Sequence, residues 1–238
     1  MNYKRNAKYF RVLPSILTLG LVILFIIGLI LLVNKKGLPG LAAIVIPVIT
    51  GFVINRKPTD AEIDEQLESF MNTLKGQALK KLGIDEEETK IAPPLLLKGY
   101  SLGWSVLGDK ANRGLFDKRG KDGRWRSPEC VLHAFFFTEN EIHYYRKTVS
   151  LVSASYKEYT EEFFYKDVVS IKTNELEKPW IDPKTGLESA TEKSRTVGFQ
   201  LSNTGGETTE CACNSTEEAD NAVNAMRSLV RQDRKSVV

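Results

Sequence analysis

The feature of this sequence that most limits how the chain can fold is an apolar stretch near its N-terminus. Residues 15–33 read SILTLGLVILFIIGLILLV, with no charged residue and only Ser15 and Thr18 polar. As a helix rising 1.5 Å per residue, this stretch spans roughly 28 Å, close to the hydrocarbon thickness of a bilayer, which is about 30 Å. A soluble protein cannot easily cover a helix that is apolar on every face. The stretch therefore predicts a transmembrane helix.

A second apolar segment follows at residues 38–54, after a linker that is too short for anything but a tight turn. It reads LPGLAAIVIPVITGFVI and is near the lower length limit for a membrane span, so a re-entrant segment is the alternative. For the first segment the alternative is a cleaved signal peptide. However, the stretch is longer than a signal h-region and no convincing small-x-small cleavage site follows it. Together the two segments predict a transmembrane hairpin of helices 15–33 and 38–54.

Charge is distributed unevenly along the chain. Residues 1–57 contain eight Lys and Arg and no acid, which leaves 25 basic against 30 acidic residues, a net charge of −5, in residues 58–238. Six of the eight cations flank the outer ends of the hairpin and two lie in its turn, so the positive-inside rule predicts that both termini are cytoplasmic. The expected localisation is integral to a membrane, with a bacterial inner or plasma membrane as first choice. The acidic remainder argues against nucleic acid as a partner.

The cysteines point to a reducing compartment. Cys130, Cys211 and Cys213 are too few for a secreted disulfide framework, and we expect reduced thiols. Cys211 and Cys213 alternate in a strand-like run, so their side chains should share a face. A zinc ion would need about two further ligands, and His133 and His143 do not offer a matching spacing. The sequence therefore predicts no metal site and no cofactor.

An amphipathic helix is predicted directly after the second apolar segment. Thr59 and Glu62 fit a capping box, apolar residues follow at helical spacing up to Leu82, and Gly83 is a plausible stop. Its early polar face is acidic, which favours packing on the domain or on a partner helix over lying on a bilayer. The predicted organisation is 1–57 for the basic N-terminus and hairpin, 58–90 for this helix and a linker, and 91–238 for a globular domain.

Beyond Pro94 the pattern becomes that of β-structure. Seven runs are predicted as strands, with turn residues between them: 95–102, 131–137, 142–149, 162–165, 168–173, 196–202 and 207–213. A second capping box at residues 215–218 then begins a helix with one apolar stripe. The predicted fold class is α+β: the two-helix transmembrane hairpin plus a bent antiparallel sheet or barrel of about seven strands, capped by the C-terminal helix.

This order of elements resembles the pleckstrin-homology (PH) superfamily, including its bacterial and GRAM-type members. The resemblance is carried by residues 135–142 (FFFTENEI), by residues 163–171 (FFYKDVVSI) and by the helix at 219–231. It covers roughly residues 95–232 and implies a bent sheet that is capped at one end by the C-terminal helix. It also implies a binding or scaffold role, and it brings no catalytic motif with it.

A basic loop over residues 110–126, KANRGLFDKRGKDGRWR, is the strongest candidate for a binding site. Phosphoinositide-binding PH domains place Lys and Arg in their first strand–strand loop, and a cationic loop held at an anionic leaflet gains about 1 kcal/mol per Lys or Arg. A solvated loop without a ligand, or one that binds an acidic protein or nucleic acid, is the alternative. The predicted contacts with the membrane or its headgroups are Lys110, Arg113, Lys118, Arg119, Lys121, Arg124, Trp125 and Arg126.

No common catalytic signature is present, neither G-x-S-x-G, H-E-x-x-H nor a glycine-rich phosphate loop, so we do not expect an enzyme. Neighbouring aromatics such as Phe135 and Phe136 should point to opposite faces of a sheet, which puts some of them outside, either as plain surface or as a protein-binding face. The hypothesis is a membrane-anchored cytoplasmic module that recruits a protein partner or senses the membrane surface. Its expected partners are the lipid bilayer and a protein. The alternative is a self-associating membrane effector or channel subunit, with the hairpin as its active part.

Overall fold

The computed structural model describes residues 2–11, 15–34, 37–55, 57–89, 91–102, 107, 115–181, 188–213 and 215–236. The helices are α1 (Tyr3–Phe10), α2 (Ser15–Val33), α3 (Gly37–Asn55), α4 (Asp60–Leu82) and α5 (Thr216–Ser236). The strands are β1 (Leu95–Tyr100), β2 (Lys118–Arg119), β3 (Trp125–Arg126), β4 (Glu129–Phe137), β5 (Glu141–Ser150), β6 (Tyr156–Phe164), β7 (Val168–Ile181), β8 (Glu188–Asn203) and β9 (Thr208–Cys213). Short 3₁₀ turns lie at Glu86–Thr89 and Tyr165–Asp167. The chain is thus α+β.

The strands form three antiparallel sheets. The first sheet has the order β1-β4-β5-β6, the second sheet has the order β7-β8-β9, and β2 pairs only with β3 in a small hairpin between β1 and β4. All seven predicted strands overlap an observed one. The sequence missed the two-residue strands of the hairpin and the outer halves of β7 and β8, whose residues are mostly polar or charged. The predicted turn at 182–186 lies outside the described residues.

The middle of the first sheet, at β4 and β5, is covered on both of its faces, whereas the edge strand β6 is mostly exposed. On one side α4 contributes Ile63, Leu67, Leu74 and Ala78 to a core that also includes Phe136. On the other side the first sheet, the second sheet and α5 share a larger core. That core is centred on residues from all three: Phe135, Phe137, Tyr144, Phe163, Phe199, Leu201, Cys211, Cys213, Ala222, Val223 and Met226. The packing explains why all nine residues of β4 are buried.

The expectation that some of the neighbouring aromatics lie on an outer face is met at one position, in β6. Phe135 and Phe136 do point to opposite faces, as predicted, but both are fully buried because α4 covers the second face. Among the adjacent aromatics of β4, β5 and β6, Phe164 is exposed. Cys211 and Cys213 lie in one core, which confirms that they share a face.

Two predicted capping motifs are present. Thr59 and Glu62 form a complete capping box at the start of α4, and Gly83 ends the helix in the left-handed conformation. Ser215 caps α5 by accepting a hydrogen bond from the backbone N–H of Glu218 at 3.1 Å. Such caps satisfy backbone N–H groups that have no partner within the helix. They therefore fix where α4 and α5 begin.

His133 joins the two large sheets. Its Nε2 accepts a hydrogen bond from the backbone N–H of Ala212 in β9 at 3.2 Å, so Nδ1 carries the proton and donates to the hydroxyl of Tyr144 at 2.8 Å. Gly99 of β1 lies against Ala212, where a Cβ on the glycine would be 2.8 Å from the Ala212 side chain. The absence of a side chain at Gly99 therefore lets β1 and β9 approach each other closely.

Gly198 offers a sharp test of the close contact between β8 and β9. A Cβ at this position would lie 2.1 Å from the carbonyl oxygen of Cys211, so a Gly198→Ala variant must shift a strand backbone. We expect its free energy of unfolding to fall by about 1–3 kcal/mol, measured by chemical denaturation. Gly76→Ala in α4, where nothing lies within 4 Å, is the control and should raise the stability by about 0.5–1 kcal/mol. If both variants changed the free energy of unfolding by the same amount, the close packing of β8 on β9 would be contradicted.

Both apolar N-terminal segments form helices, and α2 and α3 pack against each other where Gly28 meets Ala43 and Ile44. Their described side chains belong to neither core, and many large ones, Val33 among them, are exposed.

Within the described part of the chain, no helix combines the length and the apolar character that a membrane crossing requires. This finding contradicts the predicted transmembrane hairpin of helices 15–33 and 38–54. It equally contradicts the integral membrane localisation, and the cytoplasmic placement of both termini loses its basis with it.

Candidate functional site

The structure gathers the described residues of the predicted basic loop on one small hairpin. Lys118 and Arg119 form β2, and Trp125 and Arg126 form β3, with Lys118 opposite Arg126 in the pairing. The turn between these strands carries the remaining two cations, Lys121 and Arg124. The other two predicted contact residues, Lys110 and Arg113, lie outside the described residues.

Glycine and aspartate shape the turn of this hairpin. The backbone N–H of Gly120 donates to the carbonyl of Arg124 at 2.8 Å, and that of Gly123 donates to the carbonyl of Gly120 at 3.1 Å. Gly123 has a φ of 78°, a conformation that side chains other than glycine rarely adopt. Asp122 accepts a hydrogen bond from the backbone N–H of Arg124 at 3.1 Å. The turn therefore has a defined shape from which its cations project.

Arg126 supports the hairpin from within the protein. Its side chain is 1 % exposed and its guanidinium donates to both oxygens of Asp64 at 2.8 and 2.6 Å, and to both oxygens of Asp122 at 2.9 and 2.7 Å. Hydrogen bonds from Arg126 hold the pKa of Asp122 well below its usual range. Those same bonds raise the pKa of Arg126. Arg126 is thus paired inside the site, and its role there is to fix the hairpin to α4.

Asp60, the first residue of α4, holds the hairpin from its other side. One carboxylate oxygen accepts from the Tyr9 hydroxyl at 2.6 Å, and the other accepts from the backbone N–H of Lys121 at 2.7 Å. The hydrogen bond from Tyr9 lowers the pKa of Asp60. Burial, together with that bond, raises the pKa of Tyr9. Asp60 therefore stays charged and links α1, α4 and the hairpin.

Helix α1 is the functional element that the sequence reasoning missed. Asn6 is buried and donates to the Gln66 side chain at 2.6 Å and to the Leu151 carbonyl at 2.7 Å, while Tyr9 and Phe10 enter the core under α4. The available signal was Asn2, which caps α1, followed by Asn6, Tyr9 and Phe10 on one helical face. Sequence reasoning treated these residues only as a basic flank of the first apolar segment.

The docking of α1 brings further cations to the hairpin. Arg11 forms a β-bridge with Leu115, and the Lys118 ammonium lies 3.7 Å from the centre of the Tyr9 ring. Burial lowers the pKa of Lys118, and repulsion from Lys57 lowers it further. We call this surface the cationic face. Its members are Arg11, Lys57, Lys118, Arg119, Lys121 and Arg124.

A cleft of about 460 Å³ adjoins the cationic face. Its walls include Tyr100, Trp125 and four cations. Three of the cations are paired with carboxylates: Lys98 with Glu68, Arg195 with Glu175 on β7, and Arg126 with Asp64 and Asp122. The fourth, Arg124, belongs to the hairpin turn. A ligand on the cationic face would therefore have an aromatic wall and a cation beside it.

The cysteines and His133 lie in the interior, away from the cationic face. The three cysteines are buried and form no disulfide, and burial raises the pKa of Cys213 to about 12. Burial lowers the pKa of His133 to about 3, so its imidazole is neutral. Among the described residues there is no group of three His, Cys, Asp or Glu side chains that a metal ion could bind.

Comparison of the chain with family models, with curated proteins and with solved structures gives no match in any of the three. Function is therefore inferred from the geometry of the cationic face. Guanidinium groups bind phosphate and carboxylate oxygens through paired hydrogen bonds, and ammonium groups bind them as point charges. An exposed group of both kinds fits a surface that displays several phosphates.

Proposed function

We propose that this protein is a non-catalytic binding module that docks through its cationic face onto anionic phospholipid headgroups. The observation that carries the proposal is the hairpin turn. Arg119, Lys121 and Arg124 are exposed there, while Asp60 and Arg126 hold the turn in place from two sides. Because the turn is already ordered, less conformational entropy is lost when it binds.

The order of strands supports the resemblance to the PH superfamily on which the binding role was first based. A four-stranded sheet and a three-stranded sheet enclose a core with the C-terminal helix α5, and β1 lies against β9. The hairpin occupies the connection between β1 and β4, the first two neighbouring strands of the first sheet. A resemblance of fold argues for a binding role only by analogy, so the charges of the site carry the proposal.

The expected affinity for an anionic membrane surface follows from the number of exposed cations in the turn. Each Lys or Arg near an anionic surface is worth about 1 kcal/mol, so the three exposed cations of the turn together contribute about 3 kcal/mol, or roughly 100-fold in affinity. Trp125 is half-buried next to them, and tryptophan favours the headgroup region of membranes. The chain as a whole has a formal charge of only +3, which favours this local contact over a nucleic acid that needs a long basic stripe.

The test is sedimentation of full-length protein with two kinds of vesicle, pure phosphatidylcholine and phosphatidylcholine mixed with phosphatidylserine. We expect the variant R119Q/K121Q/R124Q to bind the anionic vesicles roughly 100-fold more weakly than wild type, with a smaller dependence on salt. Binding to the neutral vesicles measures what the rest of the surface contributes. It should be the same for both proteins.

The matched control removes three exposed lysines from other elements, in the variant K80Q/K157Q/K172Q. It changes the net charge by the same amount and should retain most of the preference for anionic vesicles. The proposal is wrong if the two triple variants lose binding equally. It is also wrong if wild type binds neutral and anionic vesicles alike.

A further inference from the structure

Strand β6 forms a long edge of the first sheet. It pairs with β5 along its whole length, and no other strand among those described pairs with it. Tyr156 and Tyr159 are 61 % and 40 % exposed on this strand, although both are large aromatic residues. A long exposed edge is a template for pairing with another strand, and folded proteins normally cover it or protect it with charge. The charged residues of β6 therefore either prevent such pairing or select the partner.

Two hydrogen bonds show which backbone groups of β6 face outwards. The N–H of Ser150 donates to the carbonyl of Ser155 at 3.0 Å, at one end of the β5–β6 pairing. At the other end the N–H of Tyr165 donates to the carbonyl of Asn140 at 3.1 Å. Since hydrogen-bonded and non-hydrogen-bonded pairs alternate along antiparallel strands, the even-numbered residues from 156 to 164 direct their N–H and C=O groups to the free edge. None of these groups has a hydrogen-bond partner in the described part of the chain.

The charges of β6 restrict how a second copy of the same strand can pair with this edge. Two copies related by a two-fold axis pair antiparallel, so each pairing has a central residue that meets its own copy. Pairings centred on Lys157, Glu158, Glu161 or Glu162 place that charged residue opposite itself. A pairing centred on Thr160 places Glu158 opposite Glu162. All five pairings oppose like charges, which destabilises neighbouring strands.

The pairing centred on Tyr159 has no such conflict. Lys157 of each copy lies opposite Glu161 of the other copy, which gives two pairs of opposite charge. These pairs are of the non-hydrogen-bonded kind, in which the side chains of opposite residues are closest. Tyr159 meets its own copy between them, and aromatic cross-strand pairs also stabilise a sheet. The even-numbered residues from 156 to 162 supply the backbone hydrogen bonds.

Lys157 and Glu161 are available for this contact. Lys157 is exposed and forms no ion pair with any residue that the structure describes. Glu161 is half-buried, and one of its oxygens accepts a hydrogen bond from the Thr209 hydroxyl at 2.5 Å. A carboxylate has about four acceptor sites, so Glu161 can also receive an ammonium group. Glu158, by contrast, already lies 3.4 Å from Lys147.

We propose that β6 is a dimerisation edge, on which a second copy of this chain pairs antiparallel in the register centred on Tyr159. The two four-stranded sheets then join into one continuous sheet. A two-fold contact of this kind uses the same strand of both subunits and ends the assembly at two, so it leaves no free β6 edge.

The dimer gives the cationic face a second copy on the same side of the joined sheet. A two-fold axis that relates antiparallel neighbours is perpendicular to the sheet, so both copies of α4, and the hairpins fixed to them, lie on one side. If the cationic face binds an anionic surface as proposed above, the dimer attaches by two faces at once, and modest affinity at each is sufficient. The dimer itself does not depend on that function.

The experiment is sedimentation velocity of the full-length protein and of two charge-reversal variants. We expect wild type to sediment as a dimer, with twice the chain mass of 26.7 kDa. Lys157→Glu opposes two glutamates at both pairs, and Glu161→Lys opposes two lysines, so each variant alone should dimerise roughly 30-fold more weakly. An equal mixture of the two variants restores opposite charges at both pairs and should recover the wild-type dimer.

Two controls accompany the charge reversals. Thr209→Val removes the hydrogen bond to Glu161 without changing a charge, and Lys172→Glu reverses an exposed charge on β7. Both should remain dimeric. The proposal is overturned if wild type is monomeric, if either reversal of Lys157 or Glu161 dimerises as strongly as wild type, or if their mixture stays monomeric.

The vesicle experiment is kept independent of this result by one further variant. Its control K80Q/K157Q/K172Q also removes a residue of the dimer contact. Repeating the control as K80Q/K166Q/K172Q leaves Lys157 in place and removes the same number of exposed charges. A failure of the dimer proposal and a failure of the membrane proposal are then distinguishable.

Discussion

An Arg126→Met variant is expected to lose about 2–4 kcal/mol of its free energy of unfolding, measured by urea denaturation. Methionine fills part of the space but leaves Asp64 and Asp122 facing each other without the guanidinium that each now binds through two hydrogen bonds. Removing one member of a fully buried ion pair costs about 3–5 kcal/mol. The value here is somewhat lower, because both carboxylates are more than one-third exposed and water screens them in part.

Two controls separate the geometry of Arg126 from its charge. Arg126→Lys keeps the charge but cannot form the paired hydrogen bonds to two carboxylates, so it should recover only part of the lost stability. Glu62→Gln breaks the exposed pair with Arg5, which water screens, and should cost far less stability than Arg126→Met. A loss for Arg126→Met no larger than that for Glu62→Gln would contradict the structural role of Arg126.

Elements whose signals are local were predictable from the sequence. The capping box of Thr59 and Glu62, the stop at Gly83 and the apolar stripe of α5 lie within a few residues of the ends or faces they define. The seven strand runs were found for the same reason, because alternation along a strand reports one buried face. Where β7 and β8 extend through polar residues that signal is missing, and the prediction stopped short.

The site depended on pairings that no local pattern encodes. Arg126 was predicted to lie in a basic loop and to contact the membrane, but its guanidinium pairs with Asp64, 62 residues away, and no local pattern indicates that its charge is already paired. The docking of Asn6 onto Leu151 spans 145 residues. The burial of Phe136 by α4 likewise joins segments that are far apart in the sequence. The transmembrane prediction rested on apolar composition, and no helix among the described residues meets the requirement for a crossing.

The second large effect that we expect is a fall in the free energy of unfolding as the pH is lowered, caused by His133. Burial lowers the pKa of His133 from 6.5 to about 3, whereas the unfolded chain binds this proton near pH 6.5. Between these two values the unfolded state holds more protons than the folded state, so stability rises with pH. The contribution is fully present above pH 6.5 and is lost as the pH falls towards 3, with a total on the order of 4 kcal/mol.

Carboxylates also titrate over part of this range, so the test is a comparison between wild type and His133→Gln. A neutral amide can still accept from the Ala212 N–H and donate to the Tyr144 hydroxyl, but it binds no proton when the chain unfolds. We expect the variant to be less stable than wild type by about 1–3 kcal/mol at pH 7, because the amide fits the two sheets less well. As the pH falls from 6.5 to 4 in a series of urea denaturations, that difference should shrink and then reverse. A difference that stays constant with pH would mean that His133 can be protonated in the folded protein, and that the contact between β4 and β9 is open to water.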